Sequence, residues 1–223
     1  MLAILRSLWL RYLLFRHAVL GRDESRPHDF CAFLCSLRYL SDSDLCYFVI
    51  FAFFVPNRIL MKKLLIVFHS KTGGSYQMAQ AAAKGAGSEP EVLLNFIHAA
   101  EAGPNELLEA DGYIFATPEN LAMMSGMMKD FFDRTYYPVL DRIVGRPYAI
   151  LICAGSDGEN AARQIQKIVT GWRLKAIAEP VIVCTHAQTP EAILAPKEIG
   201  DFDLQRCEEI GATLAAGLVL GIY

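Results

Sequence analysis

Short apolar runs alternate with amphipathic segments along the chain from Met61 onward. Five runs have the length and composition of strands, at residues 64–68, 92–97, 113–116, 148–153 and 180–184. Apart from Asn95 in the second run, each is apolar at consecutive positions, which is typical of strands buried on both faces of a parallel sheet. Parallel strands need long crossover connections, and those connections usually carry helices. The pattern therefore predicts an α/β fold with a doubly wound, five-stranded parallel sheet.

The segments between these runs place apolar residues at helical spacing. The clearest segment has apolar residues at i, i+3, i+4, i+7 and i+8, namely Met124, Met127, Met128, Phe131 and Phe132. Ser125 is predicted as the cap of this helix. Four further helices are predicted around residues 78–86, 106–110, 162–172 and 204–218. These elements together fill residues 61–223, which we expect to form one domain.

Residues 1–60 differ in composition from the rest of the chain. They contain seven Arg, no Lys, five acidic residues and a single glycine, so their formal charge is +2 against −5 for residues 61–223. We expect a separate N-terminal extension there. The composition favours the interpretation that the extension is not native and that translation begins at Met61. An Arg-rich transit peptide at residues 1–22 is the alternative interpretation.

Two strongly apolar runs in the extension raise the question of a membrane anchor. Residues 1–20 carry an arginine at every fifth position, at Arg6, Arg11 and Arg16, which would place positive charge all around a helix. The run of residues 45–55 is followed by Pro56 and is shorter than the roughly 20 residues that cross a bilayer. We therefore expect no membrane span.

The composition narrows the class of protein. Of the 223 residues, 53% are hydrophobic and 20% are charged, which is typical of a folded globular chain. A formal charge of −3 gives no general attraction to nucleic acid, so we expect none as a partner. The six cysteines show no disulfide framework, which favours a reducing cytoplasm. The expected partners are therefore small molecules.

The loop after the first predicted strand has the composition of an anion site. It consists of Ser70, Lys71, Thr72, Gly73, Gly74 and Ser75, and a helix follows at once. Backbone N–H groups at such a helix start bind phosphate, and the hydroxyl groups add donors. The Walker A motif does not fit because Lys71 precedes the glycines, and the dinucleotide motif G-x-G-x-x-G is absent. A capped turn without a ligand is the alternative interpretation.

Two further loops follow strands that end at the same edge of the predicted sheet. The loop after the third strand begins Thr117, Pro118, Glu119 and Asn120, and could lie against a flat heteroaromatic ring. The loop after the fourth strand contains Gly155, Ser156, Asp157 and Gly158. Ser156 and Glu159 have the spacing of a capping box, which would account for that loop without any ligand.

Other polar and sulfur-containing residues give weaker indications. His186 lies just past the fifth strand, and a structural role is favoured over a catalytic one. Cys153 and Cys184 end neighbouring strands, and inert thiols are favoured over a redox pair. Cys31 and Cys35 lack the further ligands that a zinc site needs, so no metal site is predicted.

The loop S-K-T-G-G-S after the first strand, together with T-P-E-N before a helix that reads M-M-K-D-F-F-D-R, resembles the flavodoxin-like FMN proteins. The resemblance is strongest to the NAD(P)H-dependent FMN reductase and quinone reductase branch, and it covers residues 61–223. The family loop S/T-x-T-G-x-S/T is matched by Ser70, Thr72, Gly73 and Ser75. The resemblance implies strand order 2-1-3-4-5 and noncovalent FMN. It also implies that residues 118–120 touch the edge of the isoalloxazine ring and that residues 155–158 close its other side. The loop of residues 155–158 departs from the glycine-richer versions of the reductase branch.

The resemblance implies an FMN-dependent oxidoreductase that transfers electrons from NAD(P)H to a quinone or similar small acceptor. No catalytic side chain is expected, because a flavin supplies the redox chemistry. A flavodoxin-type electron carrier is the alternative, and a flavin- or anion-binding module without turnover is a third. Residues 119–126, 154–160 and 187–200 contain no aromatic residue that could cover the ring, which favours the enzyme. A homodimer or a homotetramer is compatible with this function.

Overall fold

The computed structural model describes residues 61–223. The expectations for residues 1–60, including the extension, its two apolar runs and the pair Cys31 and Cys35, lie outside the described residues. They stay predictions.

The centre of the described domain is a parallel sheet. Its strands are β1 (Lys62–Phe68), β2 (Val92–His98), β3 (Gly112–Asn120), β4 (Met123–Met124), β5 (Pro147–Ala154), β6 (Lys175–Ala176) and β7 (Val181–Cys184). The main strands lie in the order β2-β1-β3-β5, and both β6 and β7 pair with β5 in parallel. The fourth predicted strand is β5, and β6 and β7 both lie beside it at the fifth position. The predicted order 2-1-3-4-5 is therefore confirmed.

Helices cover both faces of this sheet. They are α1 (Gly74–Ala86), α2 (Pro104–Glu109), α3 (Gly126–Val139), α4 (Glu159–Gly171), α5 (Pro190–Leu194) and α6 (Asp201–Leu220). Buried residues of α2, α3 and α4 form one hydrophobic core, and those of α1 and α6 form a second core on the opposite face. This confirms the doubly wound fold. None of the described helices combines the length and the apolarity needed to cross a bilayer.

Two glycines let α1 and α6 cross with their backbones in contact. A Cβ atom on Gly85 would lie 1.9 Å from the carbonyl oxygen of Glu208, and one on Gly211 would lie 1.9 Å from that of Ala82. No side chain fits at either position without moving a helix. The crossing lies near the C-terminal end of α1 and fixes this helix against α6.

The structure corrects the prediction for the segment after the third strand. β3 continues to Asn120 and turns back as an antiparallel hairpin with β4, where the sequence predicted an open loop. Met124 therefore lies in β4 and not on α3, and Met127 is exposed on α3. The predicted Ser125 cap is confirmed, since its Oγ accepts a hydrogen bond from the backbone N–H of Met128 at 3.3 Å.

Candidate functional site

A cleft lies at the carboxyl ends of β1, β3, β5 and β7, where ligands bind in open α/β sheets. Eight of the predicted site residues line it: Ser70, Lys71, Thr72, Ser75, Pro118, Glu119, Asn120 and Gly155. Gly73 and Gly74 supply the backbone of the loop, and Thr117 is buried behind it. Ser156 and Asp157 are exposed, and Gly158 is buried at the start of α4. The fold thus brings three separate loops together.

The loop between β1 and α1 takes its shape from Gly73 and Ser70. Gly73 has φ 91°, in the left-handed region that glycine adopts without strain. Its N–H donates to the Ser70 Oγ at 3.1 Å, and its carbonyl oxygen accepts the N–H of Gln77 at 3.1 Å. The Ser70 hydroxyl therefore stabilises the turn that leads into α1.

Ser75 is the buried polar residue at the first turn of α1. Its side chain is 1% exposed, and its Oγ has no hydrogen-bond partner within residues 61–223. The N–H groups of the first turn of a helix also lack intrahelical acceptors. An anion in the cleft would accept hydrogen bonds from both, which an unliganded capped turn does not explain. The residues of the loop therefore fit a phosphate group.

Cys153 supports the loop from below. A Cβ atom on Gly74 would lie 2.4 Å from the Cys153 Sγ, so the loop approaches β5 only because residue 74 is glycine. Burial raises the pKa of the Cys153 thiol to about 11, against a smaller lowering by the Lys197 charge. The thiol is protonated at neutral pH and serves as a packing group.

Cys153 and Cys184 lie on adjacent strands but on opposite faces of the sheet. Cys153 pairs in register with Val183, and Cys184 pairs with Ala154, so the two cysteines are offset by one residue. Cys153 packs in the core of α1 and α6, whereas Cys184 packs against the other core. This geometry does not allow a disulfide between them, and both are free thiols.

The β3–β4 hairpin forms one wall of the cleft and is fastened to α4. Glu119 accepts a hydrogen bond at Oε1 from the N–H of Gly158 at 3.1 Å. Asn160 donates from Nδ2 to the Ala122 carbonyl oxygen at 2.7 Å, and the Met124 N–H donates to the Gln164 Oε1 at 3.0 Å. The loops that follow β3 and β5 are therefore one connected unit.

The predicted capping box of Ser156 and Glu159 is wrong. Helix α4 begins at Glu159, and its N-cap is Gly158 with φ 80°. A Cβ atom on Gly158 would lie 2.6 Å from the Ile182 Cγ2, so this position needs glycine for space as well as for its backbone conformation. Ser156 lies two residues too early to cap the helix, and its side chain is exposed beside the cleft.

Seven residues that line the cleft were missed by the sequence reasoning. Two of them, Cys153 and Ala154, end β5, whose strand was predicted without a role in the site. The other five come from the connection between β7 and α6, which carries no motif: Thr185, Ala187, Ile193, Leu194 and Lys197. Their position after the last strand was the one available signal, since that strand ends at the same edge of the sheet. His186, in the same connection, is exposed and has φ 53°.

A histidine pair borders the loop on the side of β2. His69 directly precedes Ser70, and its ring centroid lies 5.5 Å from that of His98. Its Nδ1 is buried without a partner within residues 61–223. Burial lowers the pKa of His69, and the charges of His98 and Lys71 lower it further. The folded domain therefore favours the neutral ring.

The size and charge of the cleft match the phosphate end of a ligand. Its enclosed volume is about 80 Å³, whereas a site that encloses a whole small-molecule ligand has roughly 300–1,000 Å³. Lys71 and Lys197 line it, and Glu119 is bound to the Gly158 N–H at its far wall. The enclosed part therefore suits an anion, and a ring would lie on the open side next to the hairpin.

The comparisons with known proteins agree with this geometry. Residues 98–189 match the family model described as NADPH-dependent FMN reductase. An NAD(P)H dehydrogenase (quinone) from Acidithiobacillus ferrooxidans is 37% identical over 95 residues, which are 34% of this chain and 48% of that protein. A flavodoxin from Aquifex aeolicus is 36% identical over 73 residues, 33% of this chain and 40% of that protein. The chain thus spans about half or less of the length of these relatives.

Solved structures share the fold at lower sequence identity. A flavodoxin from the domain Archaea superposes with a TM-score of 0.55 and 22% identity over 70% of this chain and 98% of its own. A flavodoxin, WrbA-like protein from Agrobacterium tumefaciens superposes with a TM-score of 0.56 and 18% identity over 70% of this chain and 97% of its own. The fold and the cleft define a flavodoxin-like domain. Within that class, the match over residues 98–189 relates the chain to the NADPH-dependent FMN reductases.

Proposed function

We propose that this protein is an FMN-dependent oxidoreductase that takes electrons from NAD(P)H and delivers them to a quinone or similar small acceptor. The observation that carries the proposal is the Ser75 hydroxyl, buried without a partner in residues 61–223, at the start of α1. It lies in a loop with the S/T-x-T-G-x-S/T pattern. The matched family model and the quinone dehydrogenase relatives support the same reaction.

The residues of the cleft divide between the two ends of the cofactor. Ser75, Thr72 and the backbone of Gly73 and Gly74 would hold the phosphate, and Ser70 would hold the loop in shape. The hairpin residues 118–120 and the loop residues 155–158 would lie on either side of the ring. The bond from the Gly158 N–H to Glu119 keeps those two walls at a fixed separation.

FMN, when bound, would supply the redox chemistry by accepting electrons from NAD(P)H and passing them to the acceptor. The chain's part is to bind and orient the cofactor and to leave one side of the site open. Leu121 is 98% exposed at the tip of the hairpin, and residues 116–125, which form the cleft end of the hairpin, include no aromatic side chain. The open side would admit a nicotinamide or a quinone, which need close approach.

A flavodoxin-type electron carrier is the second candidate. The flavodoxin relative from Aquifex aeolicus favours it, because it matches about as well in identity as the quinone dehydrogenase does. The two candidates share the cofactor and differ in turnover. Steady-state oxidation of NADH or NADPH by the FMN-loaded protein, with a quinone as acceptor, supports the enzyme. A flavin-loaded protein that oxidises neither nucleotide supports the carrier.

FMN binding is tested by fluorescence-quenching titration of the wild-type protein and a Gly73→Val variant. The branched side chain is strained at φ 91°, and its Cβ would lie 3.6 Å from the Gln77 Nε2, so the loop should be distorted and FMN binding should weaken at least tenfold. Gly145→Val is the matched control, because Gly145 also has a left-handed φ of 80° but lies in open space away from the cleft. Wild-type protein that takes up no FMN contradicts the proposal.

The setting of the protein also belongs to the proposal. Cys153, Cys184 and Cys207 are free thiols, which supports a reducing cytoplasm. We place the flavin-binding domain at residues 61–223 and the separate extension at residues 1–60. The proposed acceptor is a small molecule, and a homodimer or a homotetramer stays a prediction.

A further inference from the structure

The connection between β7 and α6 crosses over the phosphate loop. We call its residues 190–199 the strap. The strap backbone is bound to the loop, because the Lys197 N–H donates to the Thr72 carbonyl oxygen at 2.8 Å. The Cβ of Lys197 and the Cδ1 of Ile199 each lie 3.4 Å from the place of a Cβ on Gly74. The strap therefore packs directly on the residues that begin α1.

The side-chain amide of Gln77 joins the strap to the loop. Its Nε2 donates to the Lys197 carbonyl oxygen at 2.6 Å and to the Gly73 carbonyl oxygen at 3.3 Å. Its Oε1 accepts the N–H of Ile199 at 3.1 Å. These bonds link segments that are about 120 residues apart in the chain. One side chain thus fixes the loop and the strap at the same time.

The strap is also stabilised by hydrogen bonds within itself. The Lys197 ammonium donates to the carbonyl oxygens of Ile193 and Ala195 at 3.1 and 2.7 Å, and also to that of Ala192. These groups end α5 and lie at the rim of the cleft, where Ile193 and Leu194 form part of its lining. With the ammonium anchored there, the strap forms the outer wall of the anion site.

We propose that Gln77 is a positioning residue of the phosphate site, which holds the strap in place as the outer wall that encloses a bound phosphate. Gln77 does not line the cleft itself and acts through Gly73, Lys197 and Ile199. The identity of the phosphate as that of FMN rests on the proposed function. The positions of the loop and the strap are given by the structure and do not rest on the proposed function.

Two variants separate this role from a general effect on α1. Gln77→Met keeps the length of the side chain and removes all its hydrogen bonds. Gln80→Met is the matched control, since Gln80 lies on the same helix and its amide donates to the exposed Tyr76 hydroxyl at 2.9 Å. Neither change removes a group that lines the cleft.

The first measurement follows tryptic cleavage of the bond between Lys197 and Glu198 by mass spectrometry, without any ligand. Both backbone groups of Lys197 are hydrogen bonded in the structure, so the bond is protected unless the strap opens. We expect cleavage about tenfold faster in Gln77→Met than in the wild type. Gln80→Met should cleave at the wild-type rate. Equal rates in all three proteins would overturn the proposal.

The second measurement compares the dissociation constants of FMN and riboflavin, which differ by the phosphate. Gln77→Met should weaken FMN binding about tenfold and leave riboflavin binding within twofold, whereas Gln80→Met should change neither. Equal losses for both flavins would show a general packing role and overturn the proposal. This readout needs no catalytic turnover.

Inorganic phosphate separates this inference from the proposed function. If the wild-type protein binds neither flavin, the proposed function fails, and the inference is then judged by protection of the Lys197–Glu198 bond. Phosphate should slow that cleavage in the wild type and in Gln80→Met but not in Gln77→Met. Absence of protection in the wild type would overturn the inference.

Discussion

Two adjacent glycines are required in the phosphate loop, each for a different physical reason. Gly73 is required for its left-handed backbone, and Gly74 is required for space, because Cys153 packs against it. The loop therefore depends on a residue of another strand as well as on its own motif. This dependence can be measured by changing both partners.

We expect Gly74→Ala to destabilise the domain and a second change, Cys153→Ala, to restore part of the loss. The added Cβ would lie 2.4 Å from the Cys153 Sγ, and overpacking of this kind costs about 1–3 kcal/mol. Urea unfolding of the wild type, both single variants and the double variant measures the coupling. Strictly additive effects of the two changes would contradict the packing argument.

His69 makes the stability of the domain dependent on pH. Its pKa in the folded state lies below its ordinary value of 6.5, mainly because of burial. Below pH 6.5 the unfolded chain binds a proton that the folded chain resists, so the free energy of unfolding falls as the pH drops. His69→Gln should reduce this acid loss. Urea unfolding at neutral and mildly acid pH measures it, and an unchanged pH dependence in the variant would contradict the prediction.

The residues of the loop could be predicted from the sequence, whereas the residues that close the cleft could not. Ser70, Thr72, Gly73 and Ser75 form a contiguous motif between a strand and a helix, and local spacing is enough to find them. Gln77 and Lys197 gain their roles from contacts about 120 residues apart. No local pattern marks such a contact, because it exists only after α6 and the sheet have packed.

At the scale of elements, the β3–β4 hairpin carries local strain. Its turn residues Leu121 and Ala122 have φ 50° and 62°, a conformation that glycine and asparagine adopt more readily. The strain is held by the bonds from Asn160 and Gln164 of α4 to the hairpin. A rigid wall of the cleft is the result.

We expect Ala122→Gly to leave the domain as stable as the wild type or more stable, by up to about 1 kcal/mol. The gain comes from relief of the left-handed backbone. Ala83→Gly in α1 is the matched control and should cost about 1 kcal/mol, because glycine is unfavourable inside a helix. The midpoints of urea unfolding measure both. Similar losses at the two positions would contradict the account of strain.

The long elements were predictable because each repeats a pattern several times, as α3 does with Met128, Phe131 and Phe132 on its buried face. The short elements β4, β6 and α5 were not predicted. They contain two, two and five residues, too few to show a period. The wrong prediction of a capping box at Ser156 has a related cause. Residues 156–159 contain both the spacing of a capping box and the glycine that caps α4, and so short a segment does not distinguish the two.

At the scale of the whole molecule, the order of the strands places the cleft. The sheet reverses its winding between β1 and β3, and their carboxyl ends leave a crevice that α1, the hairpin and the strap surround. The alternation of strand and helix was enough to predict this arrangement. The volume of the crevice depends on the packing of the strap and could not be predicted.

The division of the chain gives a prediction at this scale. A protein that begins at Met61 should fold cooperatively and bind FMN as well as the full chain, because the five positions of the sheet and both cores lie within residues 61–223. Thermal unfolding and FMN titration of the two proteins measure this. Insolubility of the shorter protein or a loss of its cooperative transition would contradict the prediction.

The most direct test of the central claim is anaerobic stopped-flow absorbance of the FMN-loaded protein mixed with NADH or NADPH, followed by a quinone. The account predicts that at least one nucleotide bleaches the visible flavin absorbance and that the quinone restores it rapidly. Both steps are expected because the cleft is open beside the exposed hairpin, where the proposed flavin ring would lie and a second ring could approach it. Bound FMN that neither nucleotide reduces would contradict the enzyme and favour an electron carrier.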